Sequence, residues 1–229
     1  MNRTLGNRNW SFTAAVLVGM LAAICPVHRL AAQEPSAGNP HVTHDLEPAR
    51  RAFVEQFPLI GLNSAPGDAA MLRILVQATG AKRGVEVGTA TGYGAILMGL
   101  GFERTGGHLI TVDIDPKMVA ATRANLKQVG LEDVVTVIEG DALEVLPQLE
   151  GEFDFVYLDA VKSDYLKYFR ALEPKLVPGA VIVADNVIRS ARAMADFIEA
   201  VNGSPDYLST TIRADDSKRD GMMVIYKLK

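Results

Sequence analysis

Five short apolar runs alternate with helical stretches in the middle of the chain, and this alternation restricts the fold more than any other feature. The runs lie near residues 83–88, 108–114, 134–139, 153–159 and 179–185. They are apolar along almost their whole length, which is typical of strands buried on both faces. The sequence therefore predicts a parallel sheet covered by helices on both sides, a doubly wound α/β domain.

Stretches with apolar residues at helical spacing are predicted as helices, at residues 45–57, 66–79, 92–103, 116–129, 141–149, 162–176 and 190–201. The chain ends with two strands that no helix separates, near residues 207–212 and 222–227. Because this hairpin follows five strand–helix units, it places an antiparallel strand at one side of the sheet.

The first 32 residues have the pattern of a secretory signal peptide. Arg3 and Arg8 give early positive charge, residues 12–24 are apolar but too short to span a bilayer comfortably, and small residues precede position 33. The pattern predicts a periplasmic or secreted protein. The alternative is an uncleaved membrane anchor that contacts the membrane through residues 12–27. Residues 33–44 are predicted to be a flexible leader, and residues 45–229 a single domain.

The composition excludes several kinds of site. Cys25 is the only cysteine and lies in the predicted signal peptide, so the mature chain has no disulfide, thiolate nucleophile or cysteine metal ligand. The net charge of −4 gives no indication of a nucleic-acid partner.

A glycine-rich turn, Gly88-Thr89-Ala90-Thr91-Gly92, follows the first strand. Its glycines allow positive φ and close approach of a ligand, and the helix behind it offers unpaired N–H groups. It is not a Walker loop, because Tyr93 follows Gly92, and Ala90 interrupts the dinucleotide pattern. The turn predicts a site for a nucleotide-like cofactor.

Polar residues stand where the strands end. Asp113 closes the second strand and could accept ribose hydroxyls, while Asp141 is either a helix cap or a neighbour of a base ring. Asp159 follows the fourth strand, and Asp185 with Asn186 follows the fifth. Hard oxygen ligands without Cys or His suit Mg²⁺, Ca²⁺ or Mn²⁺. Helix caps and loop carboxylates are the alternative reading, but their position beside a cofactor turn favours a metal site.

Five segments, in this order and spacing, resemble the metal-dependent, catechol-type class I O-methyltransferases, including the caffeoyl-CoA group: VEVGTATGYGAI, ITVDIDP, GDALEVLPQL, YLDAVKSDY and VIVADN. The resemblance covers roughly residues 45–229. It implies a Rossmann-like, doubly wound, seven-stranded sheet that is mostly parallel, with an antiparallel C-terminal strand. It also implies S-adenosylmethionine as the methyl donor and a divalent cation, Mg²⁺ first and Ca²⁺ or Mn²⁺ as alternatives.

The resemblance also assigns roles to individual positions. S-adenosylmethionine would lie beside Ser64, Glu86, Gly88, Thr89, Tyr93, Gly94, Asp113, Asp141, Ala142 and Asp159. Asp159, Asp185 and Asn186 would bind the metal, and Lys162 would be the general base.

Some positions depart from the family pattern. Gly94 replaces a serine, and Ala160 and Val161 replace aromatic residues beside the metal aspartate. The acidic residue that holds the second acceptor hydroxyl has no clear match, and Asp215 and Asp216 are nearest.

The function expected from this resemblance is metal-dependent methylation of a hydroxyl on a catechol-like small molecule. A tRNA hydroxyuridine O-methyltransferase is an alternative, which the export pattern and acidic charge disfavour. A non-catalytic nucleotide-binding or metal-binding module is another, disfavoured because Asp159, Lys162, Asp185 and Asn186 are all retained. Related enzymes are often dimers, and the N-terminal helices could pair in a homodimer.

Overall fold

A computed structural model describes residues 42–229. Seven α-helices are found in this part of the chain: α1 Pro48–Glu55, α2 Pro66–Thr79, α3 Tyr93–Thr105, α4 Pro116–Gln128, α5 Ala142–Gln148, α6 Tyr165–Leu172 and α7 Ala195–Asn202. Seven strands accompany them: β1 Arg83–Val87, β2 His108–Asp113, β3 Val135–Glu139, β4 Phe153–Leu158, β5 Leu176–Ala184, β6 Tyr207–Ile212 and β7 Met222–Lys227.

The strands form one sheet in the order β3-β2-β1-β4-β5-β7-β6. Strands β1 to β5 are parallel, and β7 runs antiparallel to both β5 and β6. This topology confirms the predicted doubly wound, mostly parallel sheet. The strand order reverses between β1 and β4, and ligands of such sheets bind outside the carboxyl ends of the strands at that point.

The register of β1, β4 and β5 brings their ends to the same edge of the sheet. Val87 pairs with Leu158, and Leu158 pairs with Ala184. The main chain continues this pairing one residue further, because the Asp159 N–H donates to Val87 O at 2.8 Å and the Asp185 N–H donates to Leu158 O at 3.0 Å. Residues that follow these three strands are therefore neighbours, although they come from distant parts of the chain.

A hydrophobic core lies on each face of the sheet. In β4, Phe155 and Tyr157 point to the face covered by α2 and α3, whereas Val156 and Leu158 point to the face covered by α5, α6 and α7. Successive strand residues alternate between the faces, so both sets are apolar. This explains the uninterrupted apolar runs in the sequence.

Some predicted boundaries differ from the structure. The helix predicted at 162–176 is α6 flanked by two short 3₁₀ turns, and β5 starts at Leu176 rather than 179. The helix predicted to start at 190 starts at Ala195. Asp220 contributes to this later start, because its Oδ1 accepts the N–H groups of Ile188 and Arg189 at 3.0 Å and holds that segment in a turn.

Residues 1–41, which include the predicted signal peptide and most of the predicted leader, lie outside the described residues. From residue 42 onward, none of the helices is long and apolar enough to cross a membrane.

Candidate active site

The glycine-rich turn packs directly against the end of β4. Gly88 has φ of 91° and Gly92 also 91°, a region that favours glycine. A Cβ on Gly88 would lie 2.4 Å from the carbonyl oxygen of Asp159. The turn can therefore approach the neighbouring strand, and leave room for a ligand above it, only with glycine at this position.

Asp113 holds the turn from the end of β2. Its Oδ2 accepts the N–H groups of Thr89 at 3.0 Å and Ala90 at 3.1 Å, and its Oδ1 accepts the N–H of Asp115 at 3.0 Å. A carboxylate has about four acceptor positions, so one remains for a ligand. Asp115 caps α4 by accepting the Lys117 N–H at 2.8 Å, and Asp113 is therefore not the cap of that helix.

A cavity of about 380 Å³ opens beside this turn. Five of the residues predicted to contact the cofactor line it: Gly88, Asp113, Asp141, Ala142 and Asp159. Asp141 also caps α5 by accepting the Leu143 N–H at 2.8 Å, so its cap role is observed, whereas its position beside a base ring stays a prediction. The glycine cradle, the free acceptor position on Asp113 and the cavity between them fit a nucleoside-bearing cofactor.

The other five predicted cofactor residues lie outside the cavity lining, and four of them are buried side chains: Ser64, Glu86, Thr89 and Tyr93. Gly94 is packed between two of them, because a Cβ there would lie 2.9 Å from Glu86 Oε1 and 3.0 Å from Ser64 Oγ. A larger side chain at position 94 would therefore press against Glu86 and Ser64.

Glu86 is a buried carboxyl group with a hydroxyl partner. Thr111 Oγ1 donates to Glu86 Oε2 at 2.5 Å, and the residue is 1% exposed. Burial raises the pKa of Glu86 to about 8, because the charged form loses its hydration. Glu86 is therefore mostly protonated at neutral pH in the protein without its ligands.

Two predicted metal ligands, Asp159 and Asp185, face one buried phenol. The Tyr157 hydroxyl lies 3.2 Å from Asp159 Oδ2 and 3.4 Å from Asp185 Oδ2, and Ser64 Oγ is 3.1 Å from the same hydroxyl. Burial raises the pKa of Asp159 to about 6, and the nearby Lys162 opposes that shift. The two carboxylates therefore converge at the sheet edge next to the cavity.

Asn186, the third predicted metal ligand, is held beside Asp220. Its Nδ2 donates to Asp220 Oδ2 at 3.2 Å, an interaction that orients the amide and leaves its oxygen as the possible ligand. The backbone φ of Asn186 is 62°, a left-handed conformation that Asn tolerates better than most residues.

Lys162 lies next to Asp159 on the 3₁₀ turn before α6. Its Nζ donates to Asp159 Oδ1 at 2.8 Å and to the Tyr165 hydroxyl at 2.9 Å, and that hydroxyl donates to Leu158 O at 2.8 Å. The side-chain nitrogen of the predicted general base is therefore fixed beside Asp159, a residue that lines the cavity, and the Lys162 side chain is 22% exposed.

Sequence reasoning missed a second lysine at this site. Lys218 Nζ donates to Asp185 Oδ2 and, at 2.8 Å, to Asp68 Oδ2. Asp68 and Lys218 are 150 residues apart, and no local pattern connects them. Asp215, one candidate for the missing acidic residue, instead accepts the Gly67 N–H at 2.8 Å from its Oδ2.

The donor set fits a hard divalent cation in its chemistry, because two carboxylates and an amide oxygen come from adjoining strand ends. Among residues 42–229, however, no three His, Cys, Asp or Glu side chains form a group that could hold an ion. The predicted ligands are paired with protein donors instead, including the ammonium groups of Lys162 and Lys218.

We compared the sequence and the fold of the chain with those of known proteins. A catechol O-methyltransferase from Niastella koreensis is 36% identical over 137 residues, 58% of this chain, and the chain spans 62% of that protein's length. Among solved structures, an O-methyltransferase from Bacillus cereus in complex with SAH has a TM-score of 0.71 at 26% identity, covering 82% of this chain and 94% of that one.

A second structure, the O-methyltransferase TomG from Streptomyces achromogenes, involved in tomaymycin synthesis, was solved in complex with SAM. It has a TM-score of 0.70 at 27% identity and covers 80% of this chain and 88% of its own. The sequence profile of the O-methyltransferase family matches residues 33–204, well over half of the chain. The chain therefore belongs to the O-methyltransferase family.

Proposed function

We propose that this protein transfers a methyl group from S-adenosylmethionine to a hydroxyl of a catechol-like small molecule with the help of a divalent cation. The proposal rests on the position of Asp159, which belongs both to the cavity and to the pair of carboxylates. It lines the cavity beside the Gly88 turn, and it faces Asp185 across the Tyr157 hydroxyl. A donor in the cavity and an acceptor at the carboxylates would therefore be adjacent.

The donor would occupy the cavity, where Gly88 lets it approach the main chain and Asp113 has one acceptor position for a ribose hydroxyl. S-adenosylmethionine supplies an electrophilic methyl group on a sulfonium. The aliphatic side chains of Leu62 and Val161 line the same cavity and are exposed, so they offer apolar surface to an aromatic acceptor. Holding both reactants in one site would supply much of the rate acceleration.

Asp159, Asp185 and Asn186 would hold the cation. When bound, a divalent cation lowers the pKa of a hydroxyl it contacts and fixes the position of that hydroxyl. Lys162 would accept the hydroxyl proton, because Asp159 and Tyr165 hold its Nζ next to the carboxylate that lines the cavity. For this role the Lys162 ammonium would first release one proton to solvent, and the hydroxyl proton would then restore the ammonium.

The first test is calorimetric titration with S-adenosylmethionine, with and without Mg²⁺, followed by turnover on a panel of catechols. We expect Asp159→Ala to remove metal-dependent turnover, by roughly a hundredfold or more, while cofactor affinity changes little. Full activity of this variant in the presence of a chelator would refute the metal role. Binding of S-adenosylmethionine without turnover on any catechol would refute the acceptor class.

We also propose that residues 1–32 export the protein, since arginines, an apolar run and small residues follow one another there. Fractionation of cells and N-terminal sequencing of the exported chain would test this, and a full-length protein in the cytosol would contradict it. Pairing of two copies through the N-terminal helices stays a prediction, which light scattering of the mature chain would check.

A further inference from the structure

Lys218 reaches into the acceptor side of the site from the loop 213–221 between β6 and β7. Its ammonium contacts Asp185 and Asp68, whose side chains are 2% and 1% exposed, while its own side chain is 17% exposed. Few water molecules solvate a buried ion pair of this kind, so the ammonium and the two carboxylates must neutralise each other's charge. Lys218 is therefore part of the site rather than a surface lysine.

The ammonium binds the oxygen of Asp185 that a cation would need. Asp185 Oδ1 accepts the N–H of Asn186 at 2.7 Å, whereas Asp185 Oδ2 is the oxygen that faces Tyr157 and Asp159. Lys218 binds that same Oδ2. Two positive charges cannot share one oxygen at contact distance without strong repulsion, particularly where little water screens them.

We propose that Lys218 is a built-in competitor of the divalent cation for Asp185, an inference that rests on the cation of the proposed function. Without the cation, the ammonium neutralises Asp185. When the cation binds, the ammonium withdraws to Asp68 alone, which it already contacts at 2.8 Å. The loop that carries Lys218 then changes position with the occupancy of the metal site.

Asp68 gives the displaced ammonium a place to remain. It lies in the first turn of α2 and accepts a hydrogen bond from the Lys218 ammonium. Because an unpaired buried carboxylate is costly, Lys218→Met alone would destabilise the fold. The double variant Lys218→Met with Asp68→Asn keeps the net charge of the site and leaves one carboxylate, Asp185, without its ammonium instead of two, so it is the variant suited to the test.

The experiment measures Mn²⁺ binding, by the electron paramagnetic resonance signal of free Mn²⁺, in the wild-type chain and the double variant. We expect about tenfold or tighter binding in the double variant. Lys227→Met is the matched control, because Lys227 belongs to the same hairpin but its Nζ donates to Leu176 O at the start of β5. That control is expected to bind Mn²⁺ as the wild type does.

Equal Mn²⁺ affinity in the wild type and the double variant would overturn the competition and leave the proposed metal site intact. Mn²⁺ binding by none of the variants, with calorimetry still detecting S-adenosylmethionine, would overturn the proposed metal and the competition with it. Tighter binding that Asp159→Ala does not weaken would also overturn the inference, because the ion would then be elsewhere.

Discussion

At the carboxyl ends of the strands, the two halves of the site differ in what binds their carboxylates. Beside β1 and β2, Asp113 is held by three backbone N–H groups, and an open cavity remains next to it. Beside β4 and β5, Asp159 and Asp185 are held by the ammonium groups of Lys162 and Lys218.

This difference in hydrogen-bond partners shows which half has its binding geometry already formed. We call the part beside β1 and β2, with Asp113 and the cavity, the donor half, because the methyl donor would bind there. Backbone N–H groups are fixed by the turn and cannot leave, so the donor half has its binding geometry before the ligand arrives. We call the part beside β4 and β5, with Asp159 and Asp185, the acceptor half, because the methyl acceptor would bind there. Lysine ammoniums sit on flexible side chains and can move, so we infer that this half can exchange an ammonium for a metal cation. We expect substitutions in the donor half to act on cofactor affinity and those in the acceptor half to act on metal affinity.

The largest effect is expected from Gly88→Ala, which would test whether the donor half is rigid. The new Cβ would meet the Asp159 carbonyl oxygen at 2.4 Å, and φ of 91° is strained for alanine. We expect a loss of S-adenosylmethionine affinity of about a hundredfold or more and a loss of about 2–4 kcal/mol in the free energy of unfolding.

Gly106→Ala is the control for Gly88→Ala. Its φ of 69° imposes a similar backbone strain, but no atom lies within 4 Å of the added Cβ. We expect a loss of about 1 kcal/mol in unfolding free energy and no change in cofactor affinity. If both variants bind S-adenosylmethionine as the wild type does, the close packing of the Gly88 turn has no role in cofactor binding.

A smaller effect is expected from Asp113→Asn, which weakens the backbone contacts of the donor half without adding bulk. The amide cannot accept all three N–H groups and carries no charge, so the turn loosens. We expect calorimetry to give about tenfold weaker cofactor binding and little change in Mn²⁺ binding.

Asp154→Asn is the matched control for Asp113→Asn. Asp154 accepts the successive N–H groups of Lys82 at 2.7 Å and Arg83 at 2.9 Å, at the opposite edge of the sheet. We expect both variants to lose about 1–2 kcal/mol of stability, but only Asp113→Asn to lose cofactor affinity. Equal cofactor affinities in the two variants would contradict the role of Asp113.

The smallest effect on ligand binding is expected from Glu86→Gln, whose effect on stability depends on pH. Glu86 in the fold keeps its proton up to about pH 8, whereas the unfolded chain releases it near 4.5. Stability therefore falls as pH rises from about 4.5 to 8. We expect Glu86→Gln to remove this dependence and to be more stable than the wild type at pH 8 by about 1–3 kcal/mol.

Urea unfolding between pH 5 and 8 measures the effect of Glu86→Gln. Glu139→Gln changes the same charge at an exposed position at the end of β3 and serves as the control. Parallel stability curves for the wild type and Glu86→Gln would show that Glu86 is ionised in the folded protein at neutral pH.

Much of the fold followed from local patterns. Apolar runs, glycines and prolines predicted most strands and helices of residues 42–229 to within a few residues, because burial on both faces of a sheet leaves a distinct pattern. The same patterns placed Asp159 and Asp185 at strand ends. The exceptions were the start of α7 and the 3₁₀ turns around α6, which depend on tertiary contacts such as those of Asp220.

By itself, the sequence determined the order of the elements and which strands end in carboxylates, since both depend on residues close together in the chain. Only the tertiary structure decided what neutralises those carboxylates. The pairing of Lys218 with Asp68 and Asp185 joins three distant segments, and the position of Tyr157 between Asp159 and Asp185 depends on strand register. Charges act through space, so their partners are set by which segments the fold brings together and not by spacing along the chain.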